Sequence, residues 1–408
     1  MINMAIYATF HAVDNSSSLV HGARIPLGAR NAAVYARREQ CRRRCRGRSD
    51  VGERVRVGIV GVGWWATQFH LPALIGNPWV EVTCLADPNP DRLQTARRHF
   101  GIEHAFADAG HLFSSGLVDA VVIATPHATH YHLVKAALEH GLHTLCEKPF
   151  VLESCQGYEL VRMARERSLQ LVVGYTYQFT RHARLAREWV RGGRIGDLVF
   201  VSGLFASMVE AFYRGDINEY DQTFHYPLFG PESQTYSDPK LSGGGQAQTQ
   251  ITHAMNMVFW VTGRRAAEVH AFMANRDLAV DLVDAISYRF DNGAIGTMGS
   301  TGSLRPGQLQ QQEIRYYGTK GYVLQELIQG KLTWCGNDGS IEPVPDLSQA
   351  EVYPTASVSA GLIDLIRGIN DHPEDGRSAL ATVEFIEAAY RSVALRAPVM
   401  INPSPAAP

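Results

Sequence analysis

The stretch Gly61-Val62-Gly63-Trp64-Trp65-Ala66 has the glycine spacing that a chain needs where it turns sharply around phosphate groups. The first glycine makes the tight turn, Gly63 leaves room for backbone to approach a pyrophosphate, and Ala66 lets a helix pack closely on a strand. The amides at the start of that helix favour negative charge, and Trp64 and Trp65 stand in its first turn. Asp87 lies 26 residues beyond Gly61 at the end of a second apolar run, where a carboxylate can hold ribose hydroxyls and repel a 2′-phosphate. Together these features imply a dinucleotide site that favours NAD. NADP stays the alternative because Arg92 is close enough in sequence to reach a 2′-phosphate, although a solvated helix face is its more ordinary role.

Two further side chains have the chemistry to move a proton. Lysine is rare here, five against 33 arginines, and one of the five is Lys148 in Cys146-Glu147-Lys148-Pro149. An ammonium beside a reacting alcohol stabilises developing alkoxide and relays a proton if its surroundings lower its pKa. His253 follows Gly243-Gly244-Gly245 by eight residues, and imidazole, with an unperturbed pKa of about 6.5, can accept a proton from an alcohol at neutral pH. The series His127, His130 and His132 resembles a metal-ligand spacing, but no cysteine or paired carboxylate stands nearby to complete a coordination sphere. Cys41 and Cys45 likewise lack further ligands, so no metal is expected.

These residues need a frame, and periodicity supplies one. Apolar runs at 55–60, 80–86, 104–106, 118–124, 144–146 and 171–174 alternate with helical patterns at 64–75, 91–99, 130–140 and 154–167. That alternation predicts a doubly wound parallel sheet, an α/β Rossmann domain spanning 53–178. From 179 to 400 strands fall close together, at 198–205, 268–272, 282–290, 294–300, 313–317 and 322–326, with Asp291-Asn292-Gly293 as a hairpin turn. One helix, 246–261, interrupts them, which predicts an α+β domain with a large, mainly antiparallel, open-faced sheet. Helices at 357–369 and 379–394 end the chain and are expected to pack back on the first domain. The aperiodic segment 210–242 carries Phe212, Tyr213, Tyr220, Phe224, His225 and Tyr226, aromatic rings suited to a sugar ring or an aglycone. Residues 1–52 show no sustained period and read as a disordered extension or as sequence upstream of a true start near Val51.

Composition narrows the function classes. The chain has 408 residues, 45% hydrophobic and 19% charged, and a formal net charge of −2. Eleven arginines against four acids lie in residues 1–56, which leaves a mildly acidic body with no extended nucleic-acid surface. No apolar run is long enough to cross a bilayer and no secretory leader pattern opens the chain, so a cytoplasmic enzyme is expected. Six cysteines without CxxC pairs read as free buried thiols.

Ala124-Thr125-Pro126-His127 with His130, then Ala136, Gly141 and Cys146-Glu147-Lys148-Pro149, resembles the glucose–fructose oxidoreductase, inositol dehydrogenase and MocA family. The resemblance runs from about Arg54 to Val399 and includes the triple glycine before His253, Asn292-Gly293 and Tyr317-Gly318-Thr319-Lys320-Gly321. It implies that Lys148 sits beside the nicotinamide and the substrate hydroxyl, that the peptide before Pro149 is cis, and that the open sheet packs in homo-oligomers. It puts Thr125, Pro126, His130 and Glu147 on the cofactor side, with Glu147 tuning Lys148 or touching the cofactor. His253 matches the family's catalytic or substrate-orienting histidine.

Three positions depart from the family pattern. Thr249 stands where many members have an aspartate one turn before the histidine, Asn256 replaces a following aspartate, and Gln178 precedes Phe179 where arginine is common. The losses argue against a His–Asp dyad and against an anionic substrate. The expected activity is hydride transfer between nicotinamide and a secondary alcohol or ketone of a sugar, glycoside or cyclitol. Lys148 and His253 handle the proton, and Tyr175, Gln178, Thr249 and Asn256 position the ring. A glycosidase or eliminase that oxidises transiently and a non-catalytic nucleotide-binding regulator are the rival readings.

Overall fold

The computed structural model describes residues 54–216, 226, 228–369 and 376–402. The extension 1–52 with Cys41 and Cys45, three of the aromatic-loop residues (Tyr220, Phe224 and His225) and the proline-rich end from 403 lie outside the described residues.

Six short strands form the first sheet: β1 (Val55–Val60), β2 (Val80–Ala86), β3 (His104–Phe106), β4 (Ala120–Ile123), β5 (His143–Cys146) and β6 (Leu171–Val173). Their order is β3-β2-β1-β4-β5-β6, and every pairing is parallel. β4 is buried along its whole length because helices cover both faces, which is why its sequence is an unbroken apolar run. The order reverses between β1 and β4, so the loops that leave their carboxyl ends diverge and open a crevice. Gly61, Ala124 and Glu147 each follow directly on β1, β4 and β5 at that edge. One face packs Val134, Leu138, Leu160 and Val161 against the sheet. The other takes Val358, Leu362 and Ile363 from the helix Thr355–Ile366.

The second sheet has nine strands: β7 (Leu198–Ala206), β8 (Ala266–Ala274), β9 (Val283–Phe290), β10 (Ile295–Thr301), β11 (Gln311–Gly318), β12 (Gly321–Glu326), β13 (Lys331–Gly336), β14 (Ile341–Pro343) and β15 (Val399–Met400). They lie in the order β14-β13-β12-β11-β7-β10-β9-β8-β15. Only β7 with β10 is parallel. Burial alternates strictly along β9, so one face is core and the other is open. Phe272, Val199 and Ile295 are exposed on this sheet. Gly293, at φ +87°, closes the β9–β10 hairpin where Asp291-Asn292-Gly293 signals it. Helices Thr252–Thr262, Arg181–Arg191 and Arg377–Leu395 cover the buried face, and Thr252–Thr262 is buried all round.

Some expectations are revised. The helices expected at 64–75 and 246–261 each begin with a π-helical segment, Ala66–His70 and Ala247–Ile251, before continuing as Leu71–Ile75 and Thr252–Thr262. A one-residue change of hydrogen-bond register leaves no mark on the apolar pattern, so periodicity does not reveal it. The helices Ala109–Ser114 and Arg181–Arg191 and the strands β13 to β15 are additional. Of the described cysteines, Cys84, Cys146 and Cys335 are buried free thiols, but Cys155 is exposed.

Candidate active site

A cleft of about 820 Å³ runs along the carboxyl edge of the first sheet to the buried helices of the second. Gly61, Gly63, Trp64, Trp65, Asp87, Thr125, Pro126, Glu147, Lys148, Thr249 and His253 all line it. Of the candidate site residues, His130, Tyr175, Gln178 and Asn256 do not, and neither does Tyr226 of the aromatic segment.

At the β1 end, Gly61 has φ +84°, and a Cβ there would lie 2.5 Å from the Ala124 carbonyl oxygen. Glycine is therefore required by the approach of the β1 and β4 loops. A Cβ on Gly63 would meet nothing within 4 Å, so this glycine faces open cleft. That is the space a pyrophosphate needs, and the fit extends to Asp87. Its buried carboxylate accepts from the amides of Val62 at 3.0 Å and Asn89 at 2.9 Å. Arg92 does not lie on a solvated helix face: it pairs with Asp87 at 3.1 Å and with Glu232 on the far lip. Two carboxylates thus hold this guanidinium.

Glu147 follows β5 and is almost fully buried. Its Oε1 accepts from Trp65 Nε1 at 3.0 Å and pairs with His70 Nε2 at 2.9 Å, while Oε2 accepts from the Lys148 amide at 3.1 Å. Burial alone would raise its pKa; the His70 hydrogen bond and charge, with Lys148, outweigh it and hold the carboxyl below its ordinary value. His70 Nδ1 in turn faces Ser359 Oγ at 2.8 Å, so Ser359 and His70 fix the carboxylate from behind. A Cβ at Gly174 would fall 2.7 Å from that carboxylate, and the glycine after β6 therefore admits it.

The peptide Lys148–Pro149 is cis. Lys148 Nζ donates to the Thr249 carbonyl at 3.3 Å. Loss of hydration pulls its pKa below the ordinary lysine value, and the Glu147 charge opposes that shift. His253 stands among Tyr175, Tyr177, Phe205 and Tyr353, with ring centroids 6.0 to 6.4 Å away. Desolvation, then the Lys148 charge, keep its pKa well below the usual histidine value. Its Nδ1 is buried without a hydrogen-bond partner among the described residues.

Thr249 contributes its backbone carbonyl rather than a free hydroxyl. The hydroxyl donates to Gly245 O at 2.9 Å and meets Tyr213 Oη at 2.5 Å. Gln178 and Asn256 are corrected from ring-positioning residues to a buried amide pair: they bond each other, and each donates to Ser378 Oγ at 3.3 Å. Tyr175 is buried and bonded to Thr252 Oγ1 at 2.8 Å, one layer behind His253. His130 is fully buried, its ring nitrogens 2.8 Å from Pro149 O and 3.0 Å from Thr125 O, so it braces the β4 and β5 loops from inside. His127 lines the cleft against Ser242 O at 2.8 Å; burial, then His130, drive its pKa to about 3.

Sequence reasoning missed His70, Ser359, Gln312, Tyr236 and Tyr353. Tyr177, which donates to Gln312, and Tyr236 and Tyr353 line the cleft. Their signal was a run of aromatic residues in segments without a period, which does not say which rings face a ligand.

Among the described residues no helix is long and apolar enough to cross a membrane. A family model described as an oxidoreductase family with NAD-binding Rossmann fold matches residues 55–175, and the GFO/IDH/MocA C-terminal domain matches 183–324. The uncharacterized oxidoreductase YdgJ of Escherichia coli (strain K12) is 26% identical over 85% of this chain and 99% of its own length. Myo-inositol 2-dehydrogenase of Thermotoga maritima is 24% identical over 67% of this chain and 76% of its own. A solved levoglucosan dehydrogenase, in complex with NADH and levoglucosan, superposes with a TM-score of 0.71 at 19% identity, covering 86% of this chain and all of that one. With the two family domains matched in order over more than half of its length, the chain belongs to the glucose–fructose oxidoreductase, inositol dehydrogenase and MocA family of NAD-binding oxidoreductases.

Proposed function

We propose that this oxidoreductase interconverts a secondary alcohol and ketone on a neutral sugar, glycoside or cyclitol, with Lys148 and His253 managing the hydroxyl proton. The observation that carries the reading is the pairing of two proton-transfer groups at one end of the cleft. There, Lys148 is tied to a neutral carbonyl, and His253 turns an unpartnered Nδ1 into an aromatic surround. NAD, when bound, supplies the two-electron redox chemistry at its nicotinamide. Gly61, Gly63 and Asp87 would hold its pyrophosphate and ribose, with Trp64, Trp65, Thr125, Pro126 and Glu147 around them.

Lys148 acts on the alcohol oxygen: as the neutral amine it takes the hydroxyl proton, and as ammonium it stabilises the oxyanion in the reverse direction. Desolvation lowers its pKa from the ordinary lysine value, which eases loss of its proton. His253, neutral at physiological pH, offers one ring nitrogen to a second hydroxyl and orients the ring. No carboxylate is bonded to His253 among the described residues, which leaves Lys148 as the principal proton carrier. The aromatic walls of Tyr177, Phe205, Tyr213 and Tyr353 suit the apolar face of a sugar ring. The names of relatives support the class, since one acts on myo-inositol and a structural neighbour is complexed with levoglucosan.

We place the division between cofactor and substrate domains near residue 178, the enzyme in the cytoplasm, and the exposed face of the second sheet in a homo-oligomer contact. A screen of polyols, free sugars and glycosides with NAD and NADP tests the function through the absorbance of reduced nicotinamide. Accumulation with at least one neutral polyol is expected. Hydrolysis or elimination of a glycoside without accumulation would overturn net oxidation in favour of transient oxidation, and silence on every substrate would overturn the enzymatic reading.

A further inference from the structure

We propose that Asp281 is a positioning residue for the active site: it clamps the start of the helix that bears Thr249 and His253, and so sets the Thr249 carbonyl where it receives the Lys148 ammonium. The inference rests on the reading of Lys148 given above.

The clamp is made of three successive amides. Gly245 N donates to Asp281 Oδ1 at 2.8 Å, Ala247 N to Oδ2 at 2.7 Å, and Gln246 N, between them, to the Asp281 backbone carbonyl at 2.9 Å. Tyr390 Oη donates to Oδ1 at 2.7 Å. The donors of a helix start are ordinarily met by a side chain at its own N-cap. Here the first residues of the helix have no local cap, and a residue 36 positions away in sequence supplies it.

This contact explains Gly243-Gly244-Gly245, a motif that cofactor binding leaves unused. A Cβ on Gly245 would lie 2.0 Å from the Asp281 carbonyl oxygen, and one on Gly244, at φ +154°, would lie 2.0 Å from Tyr390 Oη. Glycine at these two positions is what lets Asp281 and Tyr390 close on the helix start. Thr249 follows one turn later, its amide and hydroxyl both bonded to Gly245 O at 2.9 Å. A shift of Gly245 therefore moves Thr249, and with it the acceptor of Lys148.

The neighbouring Asp284 is almost fully buried, and burial followed by the charge of Asp281 pushes its pKa up to about 9. Asp284 thus keeps its proton at neutral pH.

The test uses the full-length enzyme carrying Asp281→Asn, whose amide keeps the shape but presents a donor where an amide or the Tyr390 hydroxyl needs an acceptor. We expect kcat on the best alcohol of the screen to fall on the order of 10- to 100-fold, as for a misplaced catalytic contact. The NAD dissociation constant and the KM for the alcohol should stay within about twofold. Tyr390→Phe, which removes one donor to the clamp, should lower kcat in the same direction by a few-fold. It also keeps the question open to experiment if the asparagine variant does not fold. A second readout needs no turnover: the rate at which an amine-reactive acylating reagent labels Lys148 in cofactor-free protein, followed by peptide mass spectrometry. It should change several-fold in either variant, since the ammonium loses its acceptor. Unchanged kcat and unchanged Lys148 labelling in a folded variant overturn the proposal. Wild-type protein inactive on every alcohol overturns the functional reading instead, and the labelling rate then decides the role of Asp281 alone.

Discussion

Lys148 and Thr249, 101 residues apart in the chain, meet across the cleft, where the lysine ammonium donates to the threonine backbone carbonyl at 3.3 Å. The acceptor is a dipole, not a charge. A carboxylate in its place would stabilise the ammonium and raise the lysine pKa; a carbonyl orients the group while leaving desolvation in control of its proton.

Replacing Lys148 by Met keeps the approximate volume of the stem and deletes the charge. Turnover should fall by about 10²- to 10³-fold, the usual effect of losing one electrostatic or proton-transfer contribution. NAD binding, followed by fluorescence, should be preserved. Near-normal turnover in the variant would transfer the proton role to His253 or Tyr213.

The pH dependence of alcohol oxidation has a defined sign. Proton acceptance needs the neutral amine, so kcat should rise with pH through the Lys148 pKa, which desolvation holds below the ordinary lysine value against the opposing pull of Glu147. Glu147→Gln removes that negative charge. The charged amine is then stabilised less, and the limb should move to lower pH in a plot of log kcat against pH. A limb that moves upward, or one that persists in Lys148→Met, would mean that another group titrates.

Cofactor choice should depend on the Asp87–Arg92 pair. In Asp87→Ser the repelling carboxylate is gone and Arg92, held by Glu232 alone among the described residues, becomes available to a 2′-phosphate. The ratio of kcat/KM for NADP to that for NAD should rise about tenfold or more, since close like charges cost several kcal/mol. An unchanged ratio refutes the assignment of Asp87.

Gly61 and Gly63 should respond differently to the same added methyl group. Gly61→Ala forces a left-handed residue and drives a Cβ into the Ala124 carbonyl, so the cofactor-free protein should lose at least about 1–2 kcal/mol of stability in denaturant unfolding. Gly63→Ala meets no protein atom within 4 Å and should leave that stability within about 0.5 kcal/mol. Its Cβ instead occupies the cradle, and the NAD dissociation constant should rise by about tenfold or more. Equal behaviour of the two variants would contradict the cradle.

Much of the frame was legible because its signals are short in range. The buried run of β4, the alternation along β9 and the Asp291-Asn292-Gly293 turn each encode an element within a few residues. The glycine fingerprint works in the same way, since Gly61 is needed by the turn in which it lies. The roles of Gln178, Asn256 and Tyr175 were not legible. A polar side chain near a strand end reads identically whether it faces a ligand or, as here, bonds Asn256, Ser378 or Thr252 in the core.

The sequence by itself determined the strand–helix alternation, the glycine turn after β1, the acidic residue after β2 and the candidacy of Lys148 and His253, because each depends on local spacing or residue chemistry. Tertiary structure alone decided what those groups touch. The Ser359–His70–Glu147 chain, the Thr249 carbonyl that receives Lys148 and the Asp281 clamp on Gly245 join residues 36 to 289 positions apart. Contacts of that kind are fixed by how sheets and helices pack, and periodicity does not record them.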